Sequence, residues 1–121
     1  MANKHEKLQS ECFLWMWNTF PKLRRLCWTT VNSHPAWGSR ELSILKAVGL
    51  VKGVTDLVFY YKGVLHVFDV KIGSDRLKPE QKEFIANVEA NGGKGYEIRS
   101  LEQFQNIIEE ILCPKHIGKK Q

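Results

Sequence analysis

The sequence predicts an α/β domain in which a mixed sheet is flanked by helices, in the order α-β-α-β-β-α-β-α. Three observations carry that prediction. Residues 53–81, GVTDLVFYYKGVLHVFDVKIGSDRLKPEQ, hold two runs rich in Val, Phe and Tyr, joined at Lys62-Gly63 like the arms of a hairpin. Apolar residues recur at helical spacing in 8–20, 78–91 and 101–112. Pro21 and Asn91-Gly92-Gly93 then stop helices where the pattern stops. With 121 residues the chain is sized for one domain over 1–121, with a core at about 8–112 and a basic tail at 113–121.

Each element has its own warrant. Met1 to about Lys7 reads as frayed. From there to Phe20, Leu8, Cys12, Trp15 and Thr19 form one helical stripe, with Glu11 beside it and turned toward the core side. Lys22, Arg24 and Arg25 precede a first strand at Leu26–Val31, and Asn32-Ser33-His34-Pro35 signals a loop. Ser39 is placed to cap a helix over Arg40–Val48 with Leu42, Leu45 and Val48 inward. After the hairpin, Pro79 suits the first turn of a helix over Lys78–Asn91, where its missing N–H has no intrahelical partner. Gln81, Phe84, Ile85 and Val88 share its inner face. Tyr96–Arg99 makes a short strand, and Ser100 caps a last helix carrying Leu101, Phe104, Ile108 and Ile111.

The hairpin carries the chemistry. A two-residue turn at Lys62-Gly63 opposes Tyr61 to Val64, so strands Thr55–Tyr61 and Val64–Lys71 set Asp56 directly across from Asp69. Opposed Cβ atoms lie about 4.5–5.5 Å apart, where like charges destabilise the pair. Side chains alternate faces, so Lys71 joins Asp69. A divalent cation between the carboxylates converts repulsion into coordination, and an open oxygen-rich site suits Mg²⁺ or Mn²⁺. The competing reading is an exposed sheet edge with scattered charges. The opposed Asp and the apolar Leu65 and Val67 on the same face weigh against it.

Bulk properties narrow the class. Cys12, Cys27 and Cys113 show no C-x-x-C spacing, which suits a reducing cytoplasm and gives no zinc signature. No signal peptide or membrane-length apolar run is present. The net charge of +5 is uneven: Lys22, Arg24, Arg25, Arg40, Lys46 and Lys52 stand against Glu41 alone in 21–52, and Lys115, Lys119 and Lys120 mark the tail. A basic segment beside an acidic patch fits a polyanionic substrate. His34 reads more readily as a surface residue or phosphate contact than as a general base, and Trp37 fits either base stacking or the core.

Glu11 on a first helix, G-V-T-D (53–56), D-V-K (69–71) and K-P-E-Q (78–81), in this order, resemble the VRR-NUC family of the PD-(D/E)XK, restriction-endonuclease-like nucleases. The resemblance spans about 8–112 and implies a restriction-endonuclease-like core. It implies that Asp56, Asp69 and the Val70 carbonyl bind metal, that Glu11 completes the metal site, and that Lys71 positions or deprotonates the attacking water or stabilises developing charge. Gln81 matches the Gln of the fourth motif. Asn32 and Arg40, more loosely, with Arg76 and Lys78, are implied DNA contacts. Thr55 stands for the usual Pro, Asp69 for the more usual Glu, and Lys78 for a frequent Ser; none of these removes a ligand.

The implied activity is Mg²⁺- or Mn²⁺-dependent hydrolysis of DNA phosphodiester bonds, without a nucleotide cofactor, in a bacterium or phage-infected cell. Minimal family members look like homodimers acting on branched DNA such as four-way junctions, whereas larger ones act on flaps. Two other classes compete: a non-catalytic DNA-binding module, and a partner-binding protein using the aromatic run Phe13–Trp17, where Trp17 lies opposite the stripe.

Overall fold

Among the described residues, four strands form one sheet in sequence order: β1 (Cys27–Thr29), β2 (Leu57–Tyr61), β3 (Val64–Val70) and β4 (Lys94–Ile98). The computed structural model describes residues 3–30, 38–49, 51 and 53–114. β1, β2 and β3 pair antiparallel, and β3 pairs parallel with β4, so the sheet is mixed. The helices are α1 (Lys4–Thr19), α2 (Ser39–Ala47), α3 (Pro79–Ala90) and α4 (Leu101–Leu112), and a 3-10 helix, Pro21–Leu26, follows α1. The predicted order of elements is thus observed.

Alternation along the strands sorts the two faces. Leu57, Phe59, Phe68, Val70 and Ile98 pack with Leu8, Cys12 and Met16 of α1 and Phe104 and Ile108 of α4. Phe68 fixes this layer, meeting Phe104 edge-on at 5.0 Å and stacking on Tyr96 at 4.8 Å. The other face carries Val67 and Asp69, and α3 approaches it so closely that a Cβ on Gly95, the partner of Val67, would strike Ile85. That close approach brings the start of α3 to the end of β3.

Several boundaries differ from the expectations. α1 begins at Lys4 rather than after Lys7, because Asn3 and Glu6 form a capping box: the Asn3 side chain accepts from Glu6 N at 2.7 Å, and Glu6 accepts from Asn3 N at 3.4 Å. Its buried stripe is Leu8, Cys12 and Met16, a strict i, i+4, i+8 row; Thr19 is exposed and Trp15 half-buried. Gly38, not Ser39, is the N-cap of α2, which carries no buried residue, and Val48 is 77% exposed. Asn32, His34 and Trp37 lie outside the described residues.

Lys62 and Gly63 have φ of 49° and 85°, the paired left-handed conformations of a type I′ turn, and Tyr61 opposes Val64 as the turn requires. The register holds to Leu57 and Phe68. There the ladder breaks, and the site begins.

Candidate active site

Asp56 is not a strand residue facing Asp69. Its N–H bonds the Phe68 carbonyl at 2.9 Å, so Asp56 and Leu57 both oppose Phe68, a bulge that bends the chain and re-aims a side chain. The Asp56 carboxylate then accepts the Val70 N–H at 2.7 Å, replacing the backbone carbonyl of Thr55 that a regular ladder would present. The Thr55 carbonyl instead accepts a short hydrogen bond from the Thr30 hydroxyl. A residue's N–H and C=O leave a strand on the same side, so the Val70 carbonyl also faces Asp56.

Asp69 and Lys71 project together from the end of β3, as the alternation predicted. Asp69 is 1% exposed and Lys71 is buried. Lys71 Nζ lies 3.1 Å from Asp69 Oδ2 and donates to Gln81 Oε1 at 2.9 Å. The ammonium is poorly aligned with Asp69, whose buried Oδ2 is left without a directed hydrogen bond; the contact is therefore an ion pair. Burial, reinforced by the Asp56 charge and opposed by Lys71, pushes the Asp69 carboxyl up to about 6. A carboxylate held this way is short of positive charge.

Gln81 links α3 to the site. Its Oε1 accepts from the Lys78 N–H at 2.8 Å, the half of a capping box that a Lys N-cap allows, and from Lys71. One Gln81 oxygen thus joins the start of α3 to Lys71. Gly53 permits this seating: at φ 89° it faces the first turn of α3, where a Cβ would come within 2.5 Å of the Glu80 carbonyl oxygen. Arg99, at the end of β4, donates to the carbonyls of Gly73 and Asp75 and fixes the loop between β3 and α3.

Glu11 is not among the converging groups. It is exposed on α1, and among the described residues no hydrogen bond or ion pair joins it to either Asp. The true stripe through Met16 turns Glu11 outward, contrary to its expected inward orientation. The α1 residue that reaches the site is His5, whose Nε2 stands 3.3 Å from Asp56 Oδ2. The hydrogen bond with Asp56 is the main cause of a raised His5 pKa, with burial opposing it. The Asn3-x-x-Glu6 pattern was the signal that could have ordered this turn and exposed His5 to notice. Arg76 and Lys78 are exposed on the approach to α3, and Arg40 is exposed on α2.

The donors fit an open cation site. Among the described residues, no group of three or more His, Cys, Asp or Glu side chains is placed to hold a metal ion, so the side chains present supply at most two such donors. Two neighbouring carboxylates, an orphaned buried oxygen and a backbone carbonyl are what Mg²⁺ or Mn²⁺ uses when water and substrate supply the rest.

The architecture around this site defines an α/β fold with a hairpin-borne cluster of charged residues. A solved structure described as a VRR_NUC domain protein superposes with a TM-score of 0.72 at 17% identity, covering 91% of this chain and 88% of that one. The chain therefore has the fold of that domain, the restriction-endonuclease-like fold. No protein-family model and no curated protein matches the sequence.

Proposed function

We propose that this protein is a VRR-NUC-type nuclease: a metal-dependent endonuclease that hydrolyses DNA phosphodiester bonds, selective for branched DNA such as four-way junctions. The observation that carries the reading is the convergence of Asp56, Asp69, Lys71 and Gln81 at one end of a sheet of that fold.

Asp56, Asp69 and the Val70 carbonyl are the donors that would hold Mg²⁺ or Mn²⁺. The bound cation supplies Lewis acidity toward the scissile phosphate and the attacking water. The chain's own groups do the positioning. Val70 N–H fixes the Asp56 carboxylate through Oδ2. Gln81 holds the Lys71 ammonium at 2.9 Å, where it can orient the water and stabilise negative charge growing on the phosphate. Arg76 and Lys78, exposed beside this end of the sheet, are placed to meet the DNA backbone. Among the described residues, Glu11 is exposed and makes no hydrogen bond or ion pair with this cluster; Arg40, and Asn32 outside the described residues, remain proposed DNA contacts.

A homodimer would present two such sites and cut two strands of a junction. Exposed Trp17, Trp28 and Ile44 offer apolar surface for that contact. No helix among the described residues is long and apolar enough to cross a membrane; a cytoplasmic setting in a bacterium or phage-infected cell completes the proposal. The test is cleavage of labelled four-way junction, flap, duplex and single-stranded DNA with Mg²⁺ or Mn²⁺. Preferential junction cleavage, lost in Lys71→Ala, is expected. Preference for flaps would replace the junction reading, and DNA binding without cleavage would leave a non-catalytic module.

A further inference from the structure

Thr30, the residue after β1, grips the chain on both sides of Asp56. Its hydroxyl donates to the Thr55 carbonyl, and its N–H donates to the Asp56 carbonyl at 3.2 Å. From the other side, the Phe68 carbonyl holds the Asp56 N–H at 2.9 Å. The peptide groups before and after Asp56 are thereby fixed, and with them the direction in which its side chain leaves the bulge.

The Val70 N–H has two acceptors within reach of the chain's geometry. In an uninterrupted ladder, the register that pairs Leu57 with Phe68 would set Thr55 opposite Val70, and their backbone groups would bond each other. In the bulged chain the Val70 N–H goes to Asp56 Oδ2 instead, at 2.7 Å. Thr55 is fully buried, and a buried carbonyl needs a donor. The Thr30 hydroxyl is that donor, so the choice between the two pairings turns on it. The hydroxyl of the neighbouring Thr29 is engaged elsewhere, with the Gln9 amide and the Thr30 carbonyl.

We infer that Thr30 is a positioning residue for the candidate site: its hydroxyl selects the bulged pairing and so holds the Asp56 carboxylate on the Val70 N–H. The consequence for cation binding and cleavage rests on the nuclease reading above, whereas the pairing belongs to the metal-free chain. Without the hydroxyl, the Thr55 carbonyl takes back the Val70 N–H, the ladder runs on toward the end of β3, and the Asp56 carboxylate loses its anchor. Thr30 acts through Asp56, as outer residues that orient metal-binding groups do.

The test compares the natural chain with Thr30→Val, Thr30→Ser and Thr29→Val. Couplings across hydrogen bonds are measured by NMR on the metal-free protein, then Mn²⁺ affinity by calorimetry and steady-state cleavage of branched DNA. In the natural chain the Val70 nitrogen should couple to the Asp56 carboxyl carbon. In Thr30→Val that coupling should pass to the Thr55 carbonyl carbon, Mn²⁺ should bind about tenfold more weakly, and kcat should fall about tenfold or more with KM little changed. Thr30→Ser, which keeps the donor, and Thr29→Val, which removes the neighbouring hydroxyl, should both behave as the natural chain. A Val70 coupling to Asp56 that survives Thr30→Val would overturn the role of Thr30, as would a Thr30→Ser protein that behaves like Thr30→Val. A coupling that switches as expected, in a protein whose natural chain neither binds Mn²⁺ nor cleaves DNA, would uphold that role and overturn the nuclease reading.

Discussion

Asp69 carries a heavy electrostatic burden: it is buried, beside a second carboxylate, and met off-line by Lys71. Its folded pKa of about 6 lies above the ordinary 3.8. A group raised in this way contributes stability that is fully present below its unfolded pKa and lost as pH rises through the folded one. The metal-free protein should therefore lose stability between about pH 4 and pH 6 through this residue. His5, also raised, adds a loss at higher pH, while buried His66, lowered chiefly by desolvation, works in the opposite direction on acidification. Asp69→Asn should stabilise the metal-free protein at pH 7.5 by on the order of 1–3 kcal/mol while abolishing cleavage. Urea unfolding at pH 4 and pH 7.5 checks this, and the gain should shrink at the lower pH. Lys71→Met removes the cation that opposes these charges; it should destabilise the metal-free protein by about 3 kcal/mol, with Asp69→Asn partly rescuing it.

At the scale of elements, the site depends on where α3 is seated against the hairpin. Gly53→Ala places a methyl against the Glu80 carbonyl and a Cβ at φ 89°. It should cost about 2 kcal/mol or more in thermal unfolding and impair cleavage beyond what lost stability explains, because Gln81 lies one residue on. Lys62→Asn, by contrast, suits the type I′ turn and should stabilise the hairpin by a few tenths of a kcal/mol without touching cleavage. These elements also show what was legible in the sequence. The turn at Lys62-Gly63 dictated the register down to Leu57 and Phe68, since two-residue loops leave no choice of pairing. The bulge at Asp56 was not legible, because it depends on bonds to Val70 and Thr30 that no local pattern announces. The phase of the first helix was not legible to within one step: Trp15 and Thr19 fit the helical period as well as Met16 does, and the assembled core, which buries Leu8, Cys12 and Met16, leaves Glu11 exposed and sets His5 beside Asp56.

For the molecule as a whole, the sheet divides its labour between faces. α1 and α4 bury the Phe68 layer, while α3 covers the side that carries Asp69, so the core and the charged site are separated by one strand thickness. The element order and the Asp-Lys spacing follow from local sequence. The burial of Asp69 follows from the assembled layers, which is why the sequence could place the residue but not its pKa. A site that holds unneutralised carboxylates should be stabilised by a cation that binds only the folded state. Saturating Mn²⁺ is expected to raise the melting temperature of the natural chain by several degrees and that of Asp69→Asn hardly at all.

The most direct measurement is single-turnover cleavage of a labelled branched DNA by the natural chain and by Asp69→Asn, in Mn²⁺ and in excess chelator. The account predicts cleavage by the natural chain in Mn²⁺ only, and a loss of at least a hundredfold in Asp69→Asn, on the order expected when a transition-state charge is left unstabilised. Cleavage that persists in chelator, or that survives Asp69→Asn, would contradict a metal-dependent site built on these carboxylates.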